Sequence, residues 1–354
     1  MNHLLRTSAI AISSTIALAS LYLQSAPSCA APAWHQVECQ NAPRTSRQPG
    51  ASSGIQPVRE YSIPTPASVP AGITRGPDGA LWFAEYASGK IGRITTAGDL
   101  REFTISTAAS GPQKIVVGPD GALWFTETNT NKIGRITVAG AFSEFSIPTP
   151  SSFPAVIVAG PDGALWFTEY NAGKVGRVST LGRFNEYSIP TAGSGPQGIA
   201  VGPDGALWVT ESRGNKIARI TTGGTMAEFA IPTAGSLPGA IALGPDGALW
   251  FTEFDSGKIG RITTRGRISE FPASKSLTSA SGIAAGSDGA LWFIDATAGK
   301  FKRISSRGTI KEFPATSIIG KRIGGFAIGP DGAVWFTEIE RGVIGRISAL
   351  AYSR

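Results

Sequence analysis

This sequence of 354 residues has little histidine and little cysteine, with two of each. His3, His35, Cys29 and Cys39 all lie near the N-terminus, and neither residue type occurs after them. The rest of the chain therefore has no Ser-His-Asp set, no Cys/His zinc spacing and no internal disulfide. Any acid–base chemistry there must use other side chains.

Charge, helical periodicity and long apolar runs are also scarce. Charged residues make up 16% of the chain, below the usual value of about a quarter. No apolar run after the N-terminal segment is long enough to span a membrane, and no amphipathic helical pattern is present. The net charge is +7, but basic residues do not cluster among exposed aromatics, so nucleic acid is not an expected partner.

The N-terminal segment predicts an exported protein. A short basic region ends at Arg6, an apolar stretch covers residues 9–23, and small residues around Cys29 offer a cleavage site. Residues 1–30 are therefore predicted to be a secretory signal, and residues 31–54 a flexible linker. The protein is expected to be secreted or periplasmic. Lipid anchoring through Cys29 is not expected, because the residues before it match a lipidation box poorly.

What the chain does have is a repeat of fixed length. The string Gly-Pro-Asp-Gly-Ala-Leu-Trp-Phe-Thr-Glu recurs seven times with small variations. Successive copies lie 42 residues apart, except for a last interval of 43 residues. Their aspartates are Asp78, Asp120, Asp162, Asp204, Asp246, Asp288 and Asp331. A fixed period of this length is typical of a repeat architecture.

Each copy has the pattern of four short strands separated by tight turns, one of which is the Asp-Gly turn of a hairpin. Both faces of these strands are apolar, as expected for a sheet that neighbours cover on both sides. The pattern predicts an all-β fold, a seven-bladed β-propeller of four-stranded blades over residues 55–350, followed by a tail at 351–354. A spare outer strand at 59–63 is predicted to pair with the last blade and close the ring.

Three charged series recur in the copies, beginning with Glu60, Glu85 and Arg93, with Asp295 as an exception in the second series. Their recurrence indicates hydrogen bonds or ion pairs that hold the fold, because buried charges need partners in every blade. The same argument assigns the repeated aspartates to turns and the repeated tryptophans to the core. Residues that break the pattern therefore carry more information about function.

Those residues cluster in two loops of the repeat. If the first strand of each copy is innermost, the loop before it and the loop after the motif glutamate open on one face around the ring axis. Aromatics in copies one, three and five alternate there with glutamines in copies two and four. The candidate ligand-binding residues are Tyr86, Gln113, Lys114, Tyr170, Gln197, Phe254, Lys321 and Arg322. They predict a planar or sugar-like ligand at the axial mouth, unless the alternation is accidental.

The repeat, continued by Asn-Lys-Ile-Gly-Arg-Ile-Thr and Ile-Pro-Thr, resembles the streptogramin B lyase (virginiamycin B lyase) family over residues 55–350. The resemblance implies a seven-bladed propeller that opens cyclic depsipeptide antibiotics by elimination at an ester bond. It also implies Mg²⁺ and histidines in Pro-His-Gly/Ala-Ile motifs before the innermost strands. A base near neutral pKa would remove the proton, and a metal or acid would stabilise the carbonyl charge.

The positions that match those motifs hold no histidine. Five of them begin at prolines and read Pro-Ala-Gly-Ile, Pro-Gln-Lys-Ile, Pro-Ala-Val-Ile, Pro-Gln-Gly-Ile and Pro-Gly-Ala-Ile, and the last two begin at Ala280 and Ile323. The sequence therefore predicts no catalytic residue and no metal ligand. The first hypothesis is a monomeric propeller that binds a small molecule or peptide at its mouth and needs no cofactor.

Two other hypotheses stay open. The first is an enzyme, either a divergent lyase, which would use Mg²⁺, or a hydrolase. Lys114, Asp295 and Tyr86 are its candidate groups. The second is a scaffold that meets a protein partner across a propeller face. Its basis is the charge of residues 255–354, which contain fifteen Lys or Arg and eight Asp or Glu. This segment therefore accounts for the whole positive net charge of the chain. Strong salt dependence of binding would favour the scaffold.

Overall fold

The computed structural model describes residues 58–273, 282–286, 288–295, 298, 300–314 and 321–347. The predicted signal segment, linker and tail lie outside these ranges. The described residues form strands and turns, which confirms the all-β prediction. Within these ranges no helix is long and apolar enough to cross a membrane.

The strands form seven antiparallel sheets of four strands each. The chain enters through β1 (Arg59–Ser62). The first three blades, each from the inside outwards, are β2 (Pro70–Arg75), β3 (Leu81–Glu85), β4 (Lys90–Ile94) and β5 (Leu100–Thr104); β6 (Pro112–Val117), β7 (Leu123–Glu127), β8 (Lys132–Ile136) and β9 (Phe142–Ser146); and β10 (Pro154–Ala159), β11 (Ala164–Glu169), β12 (Lys174–Ser179) and β13 (Phe184–Ser188).

The remaining blades follow the same order, and the last one takes its outer strand from the N-terminal end. They are β14 (Pro196–Val201), β15 (Leu207–Glu211), β16 (Lys216–Ile220) and β17 (Met226–Ala230); β18 (Pro238–Leu243), β19 (Leu249–Glu253), β20 (Lys258–Ile262) and β21 (Ile268–Pro272); β22 (Ile283–Ala285), β23 (Leu291–Asp295), β24 (Lys300–Ile304) and β25 (Ile310–Pro314); and β26 (Ile323–Ile328), β27 (Val334–Glu338), β28 (Val343–Ile347) and β1.

The ring closes as the sequence predicts. β1 pairs with β28 in an antiparallel register that runs from Arg59 opposite Arg346 to Ser62 opposite Val343. The N–H of Ile63 then donates to the carbonyl of Gly342 at 3.0 Å. The last blade thereby gains its fourth strand from the other end of the repeat region, and an edge that would otherwise be open is covered.

The core consists of seven hydrophobic clusters, each shared by two neighbouring blades. Successive side chains of a strand point to opposite faces, so Leu81 and Phe83 pack toward the seventh blade while Trp82 packs toward the second. All three are fully buried. This alternation explains why the second strand of each blade is apolar on both faces.

A polar clamp fixes each buried tryptophan to its turn. In the fourth blade, Nε1 of Trp208 donates to Oδ1 of Asp204 at 3.1 Å, and Nε of Arg219 donates to Oδ2 at 2.7 Å. Burial alone would raise the pKa of Asp204, but these hydrogen bonds outweigh it and hold that pKa below its ordinary value. The same three residue types form the clamp in all seven blades, which confirms their structural role.

A threonine in the second strand links the innermost strands of neighbouring blades. The pairing of β14 with β15 shifts register between Pro196 and Ile199, and the freed N–H of Gly198 donates to Oγ1 of Thr210 at 2.8 Å. The hydroxyl of Thr210 in turn donates to the carbonyl of Gly239 in the next blade at 2.6 Å. Equivalent bridges start from Thr126, Thr168 and Thr337.

We expect Thr210→Val to lower the free energy of unfolding by ~1–3 kcal/mol, because it leaves a buried N–H and a buried carbonyl without partners. Urea denaturation measures the change. Thr225→Val, in the exposed turn between β16 and β17, is the matched control and should leave the midpoint unchanged. Equal midpoints for both variants would show that the hydroxyl bridge does not stabilise the contact between blades.

Candidate functional site

The mouth of the propeller lies where each innermost strand begins and each second strand ends. In the first blade, the N–H of Tyr86 donates to the carbonyl of Val69 at 3.0 Å, which holds the two loops side by side. The same bond joins Thr128 to Gly111, Tyr170 to Phe153, Ser212 to Gly195, Phe254 to Leu237 and Ile339 to Arg322. These pairs, with the second residue of each innermost strand, are called the axial mouth below.

The alternation of aromatics and glutamines at the mouth has a packing cause. A Cβ added to Gly239 would lie 2.1 Å from the ring of Phe254, so the ring lies directly over this glycine. In the second blade the residue types are exchanged, and Gln113 lies beside the small side chain of Thr128. An aromatic from the loop or a glutamine from the innermost strand therefore fills equivalent space in these blades. Phe254 also packs against the core between the fifth and sixth blades.

The glutamines keep hydrogen-bonding capacity for a ligand. The hydroxyl of Thr128 lies 2.9 Å from the carbonyl oxygen of Pro154 and 3.0 Å from Oε1 of Gln113, but it has one hydrogen to donate. The network is satisfied when this hydrogen goes to the carbonyl and the amide turns its nitrogen to the hydroxyl. The amide oxygen is then available to a ligand. Gln197 and Ser212 repeat the arrangement.

Each of the two tyrosines contacts a polar residue of the following blade. The hydroxyl of Tyr86 donates to Oδ1 of Asn129 at 2.8 Å. Tyr170 lies against Phe153, with ring centroids 6.1 Å apart, and the guanidinium of Arg213 lies 4.8 Å from its ring centroid. Tyr86, Gln113 and Asn129 thus recur two repeats later as Tyr170, Gln197 and Arg213, so the mouth contains two copies of one arrangement.

Among the described residues of the mouth, three large side chains have strained backbones, which the sequence analysis missed. Val69, Phe153 and Leu237 have φ values of 54°, 58° and 50°, a region that bulky residues rarely adopt. At the equivalent position the second and fourth blades have glycines. Each strained residue costs ~1–3 kcal/mol and is typical of a functional site. The sequence signal was present, because these are the residues before the prolines of the copies that contain aromatics.

The predicted cations lie in three different environments. Nζ of Lys321 is 2.9 Å from Oε1 of Glu60 and 3.4 Å from Oε2 of Glu338, so it is committed to ion pairs within the last blade. Arg322 is half-buried at the mouth, beside Ile339. Lys114 is the third residue of β6 and lies just below the mouth. We therefore retain Arg322 and Lys114, but not Lys321, as ligand-binding candidates.

The basic surplus of copies five to seven is largely paired. The paired residues are Lys258, Arg261, Lys300, Lys302, Arg303, Lys321, Arg341 and Arg346, each of which has an Asp or Glu partner. Arg265, Arg267, Arg307 and Lys311 are exposed on the outer turns and strands of the fifth and sixth blades. A protein partner on this surface stays a prediction.

Two of the three candidate lyase groups are unsuited to act as a base. Burial raises the pKa of Tyr86 above its ordinary value, so its hydroxyl stays protonated at neutral pH. Asp295 is 1% exposed and lies 3.0 Å from Nζ of Lys302, an ion pair inside the sixth blade. The described residues contain no group of three His, Cys, Asp or Glu side chains that could hold a metal. The amides, phenols and guanidinium of the mouth do not fit Mg²⁺, which takes carboxylates and water.

Five blades contain a buried glutamate whose pKa is strongly raised. In the fourth blade, burial and repulsion from Glu228 raise the pKa of Glu211 to about 8. Burial would also raise the pKa of Glu228, but hydrogen bonds from Thr191 and Lys216 hold it below its ordinary value. The equivalent residues Glu85, Glu127 and Glu169 also have pKa values of about 8, and Glu253 about 7. These five buried glutamates therefore bind protons near neutral pH, which the sequence did not reveal.

Seven closed blades with a mouth of aromatic and amide side chains define this protein as a seven-bladed β-propeller. A model of the virginiamycin B lyase family matches residues 50–208 and 150–351, and the chain belongs to that family.

Known relatives agree with this assignment. The virginiamycin B lyase of Staphylococcus aureus, solved with selenomethionine, is 37% identical; the match covers 82% of this chain and 99% of that chain, with a TM-score of 0.77. A catalytically inactive histidine-to-alanine variant of the S. aureus enzyme, solved with quinupristin, matches equally well. The virginiamycin B lyase of Saccharopolyspora erythraea is 52% identical over 42 residues, which is 12% of this chain and 14% of that relative.

The glutamate pairs predict a pH dependence of stability. The pKa of Glu211 is about 8 in the folded chain against an ordinary value of 4.5, so between these pH values the folded chain holds a proton that the unfolded chain has lost. The stabilisation is complete at low pH and is lost as pH rises through about 8. One proton corresponds to a slope of at most ~1.4 kcal/mol per pH unit.

We expect Glu211→Gln to flatten this slope, because the amide mimics the protonated acid at every pH. Urea denaturation between pH 5.5 and 9 measures the slope for both proteins. Glu340→Gln removes an exposed carboxylate and should leave the slope as in the parent chain. A slope that is the same in all three proteins would contradict the raised pKa.

Proposed function

We propose that this protein is an exported propeller that binds a small molecule or peptide at the axial mouth without catalysis. The observation that carries the proposal is the strain at Val69, Phe153 and Leu237. Each places a bulky apolar side chain beside the loop residue that follows the motif glutamate. Two blades of the same chain have glycine there, so the fold itself does not require a side chain at this position.

The chemistry of the mouth favours a ligand with planar or apolar groups and amide-like donors and acceptors. Tyr86, Tyr170 and Phe153 offer ring faces, and Gln113 and Gln197 offer amides. Aromatic anchors flanked by a few polar groups are the usual composition of such sites. Cyclic depsipeptides combine apolar side chains with backbone amides, and a variant of the S. aureus relative was solved with quinupristin. We therefore take quinupristin as the first probe ligand.

Family membership favours a second candidate, a divergent lyase. The S. aureus enzyme is described as inactive when one histidine is replaced by alanine, and this chain has no histidine after His35. A lyase would therefore need a different base. Elimination opens the ring without a change of mass, so chromatography with mass detection separates the two candidates: a shifted peak of identical mass, absent from a heat-inactivated control, would establish the lyase and contradict the proposal.

We expect the double variant Tyr86→Ala, Tyr170→Ala to bind quinupristin about 30-fold more weakly or worse, a loss of ~2 kcal/mol that is typical of aromatic anchors. Isothermal titration calorimetry measures the affinity. The melting temperature should stay nearly unchanged, because both rings lie at the half-exposed mouth. Unchanged affinity, or a large loss of stability, would identify these rings as packing residues and sink the proposal.

Phe153→Gly separates binding from packing in a second way. Glycine adopts a positive φ without steric cost, so we expect the variant to unfold at the same or a higher urea concentration while its affinity for quinupristin falls. The matched change is Leu181→Gly, which removes an apolar side chain that is 80% exposed in an outer turn. It should leave binding unchanged. A clear loss of stability in Phe153→Gly would show that the ring serves the fold.

A further inference from the structure

Lys114 stands apart from the other lysines of the described chain. It lies in the middle of β6, an innermost strand whose outer edge pairs with β7. Its backbone N–H donates to Thr126, but its ammonium has no hydrogen bond or ion pair with any described residue. By contrast, Lys90, Lys132 and Lys174 each have a glutamate partner.

The ring axis is the side of β6 that no other strand covers. The innermost strands β2 and β10 lie next to β6 in the ring, and β7 covers its outer edge, so the axial edge is the side that remains open. Lys114 is half-exposed, yet the surrounding protein desolvates its ammonium and lowers its pKa. A narrow axial space, rather than the outer surface, accounts for both observations.

The other innermost strands supply no counterion to Lys114. At the position of Lys114 they have small or short side chains: Gly72, Val156, Gly198, Ala240, Gly282 and Gly325. Arg75 is the other charged residue in β2, β6, β10, β14, β18, β22 and β26, and none of these strands contains an Asp or Glu. An unpaired buried charge is costly, so an anion that enters from the mouth would be stabilised there.

We propose that the axial space below the mouth is a binding site for a carboxylate, held by the ammonium of Lys114. The other described innermost strands have no charged residue at the position of Lys114, and Arg75 lies at the exposed far end of β2, so the site takes one carboxylate. The short apolar side chains of Val156 and Ala240 at the same position favour a carboxylate with a small apolar or aromatic body. The register shift between Pro112 and Ile115 shortens this part of β6, so Lys114 lies less than ~7 Å below Pro112 at the rim, within reach of the end of a molecule seated at the mouth.

Two sources present this chemistry, a free carboxylic acid and the C-terminus of a peptide. For a peptide C-terminus, the proposal rests on the proposed binding function, because the peptide would also contact the mouth. For a free acid it does not, because a free acid can enter the axial space without contacts to the mouth aromatics. Calorimetry with benzoate tests the first source. Calorimetry with the dipeptide Gly-Phe and with its C-terminal amide tests the second.

We expect the acid form of the dipeptide or benzoate to bind, and the amide to bind at least tenfold more weakly. Lys114→Met, which keeps the length of the side chain, should weaken binding of the acids at least tenfold. Lys311→Met removes the same charge from an exposed position and should leave binding unchanged. Equal affinity of acid and amide, equal affinity of both lysine variants, or no binding of either acid to the parent chain would overturn the carboxylate site.

Amine labelling of the parent chain tests the site independently of any variant. The desolvated Lys114 should react with acetic anhydride at a lower pH than Lys90, Lys132 and Lys174, and saturating benzoate should protect it, as read by peptide mass spectrometry. Labelling of Lys114 that benzoate leaves unchanged would also overturn the site. If quinupristin binds and no carboxylate binds, the carboxylate site is refuted and the mouth function is not. If a carboxylate binds and quinupristin does not, the mouth function is refuted and the carboxylate site is not.

Discussion

The whole ring depends on how each blade buries a tryptophan. The indole packs into the neighbouring blade, but its N–H needs a partner once buried, and the turn aspartate of the same blade supplies it. The arginine of the third strand then neutralises that aspartate and lies over the indole, 5.9 Å from its ring centroid in the fourth blade. Three side chains thus fix the turn, the core and the outer strands of one blade at once. Seven copies of this clamp restrict which residues the outer parts of the blades can have.

The sixth blade keeps this clamp although three residues near it change. Lys302 replaces the small residue on which the second-strand aromatic packs elsewhere, Asp295 replaces the longer glutamate, and Ile294 replaces the bridging threonine. The ammonium of Lys302 compensates by contacting Asp295 and Glu312 at 3.0 Å each and the carbonyl of Ala273 at 2.7 Å. A new buried charge is tolerated because every partner it needs is supplied within the same sheet and its neighbour.

The sequence predicts the fold well because its signals are repeated. Fixed spacing, Asp-Gly turns and the spare strand at 59–63 give the blade count, the strand order and the closure, all of which the structure confirms. The site is harder to predict, because side chains there act across blades. The hydrogen bond from Tyr86 to Asn129 and the ion pairs of Lys321 join residues far apart in the chain, and the raised pKa of Glu211 depends on burial. Neither sequence-distant contacts nor burial can be read from the spacing of the repeat. The strain at Phe153 is hard to predict for a different reason: its place before Pro154 can be read from the sequence, but residue type alone does not report φ.

The repeat also explains where this chain is free to vary. The clamp acts on the Asp-Gly turn, the second strand and the third strand, and the interblade clusters hold the innermost strands through residues such as Ile115 and Ile157. The axial edge of each innermost strand, by contrast, pairs with no other strand. Changes at the start of those strands therefore alter the mouth without disturbing the core, which is why Gln113, Ala155 and Gly239 can occupy equivalent positions. The strain of about 1–3 kcal/mol per residue at Val69, Phe153 and Leu237 is sustained by the rigid blades behind them. Fold and site can therefore be predicted separately. The family resemblance predicts the fold, whereas the ligand that the site binds depends on the residues at the axis.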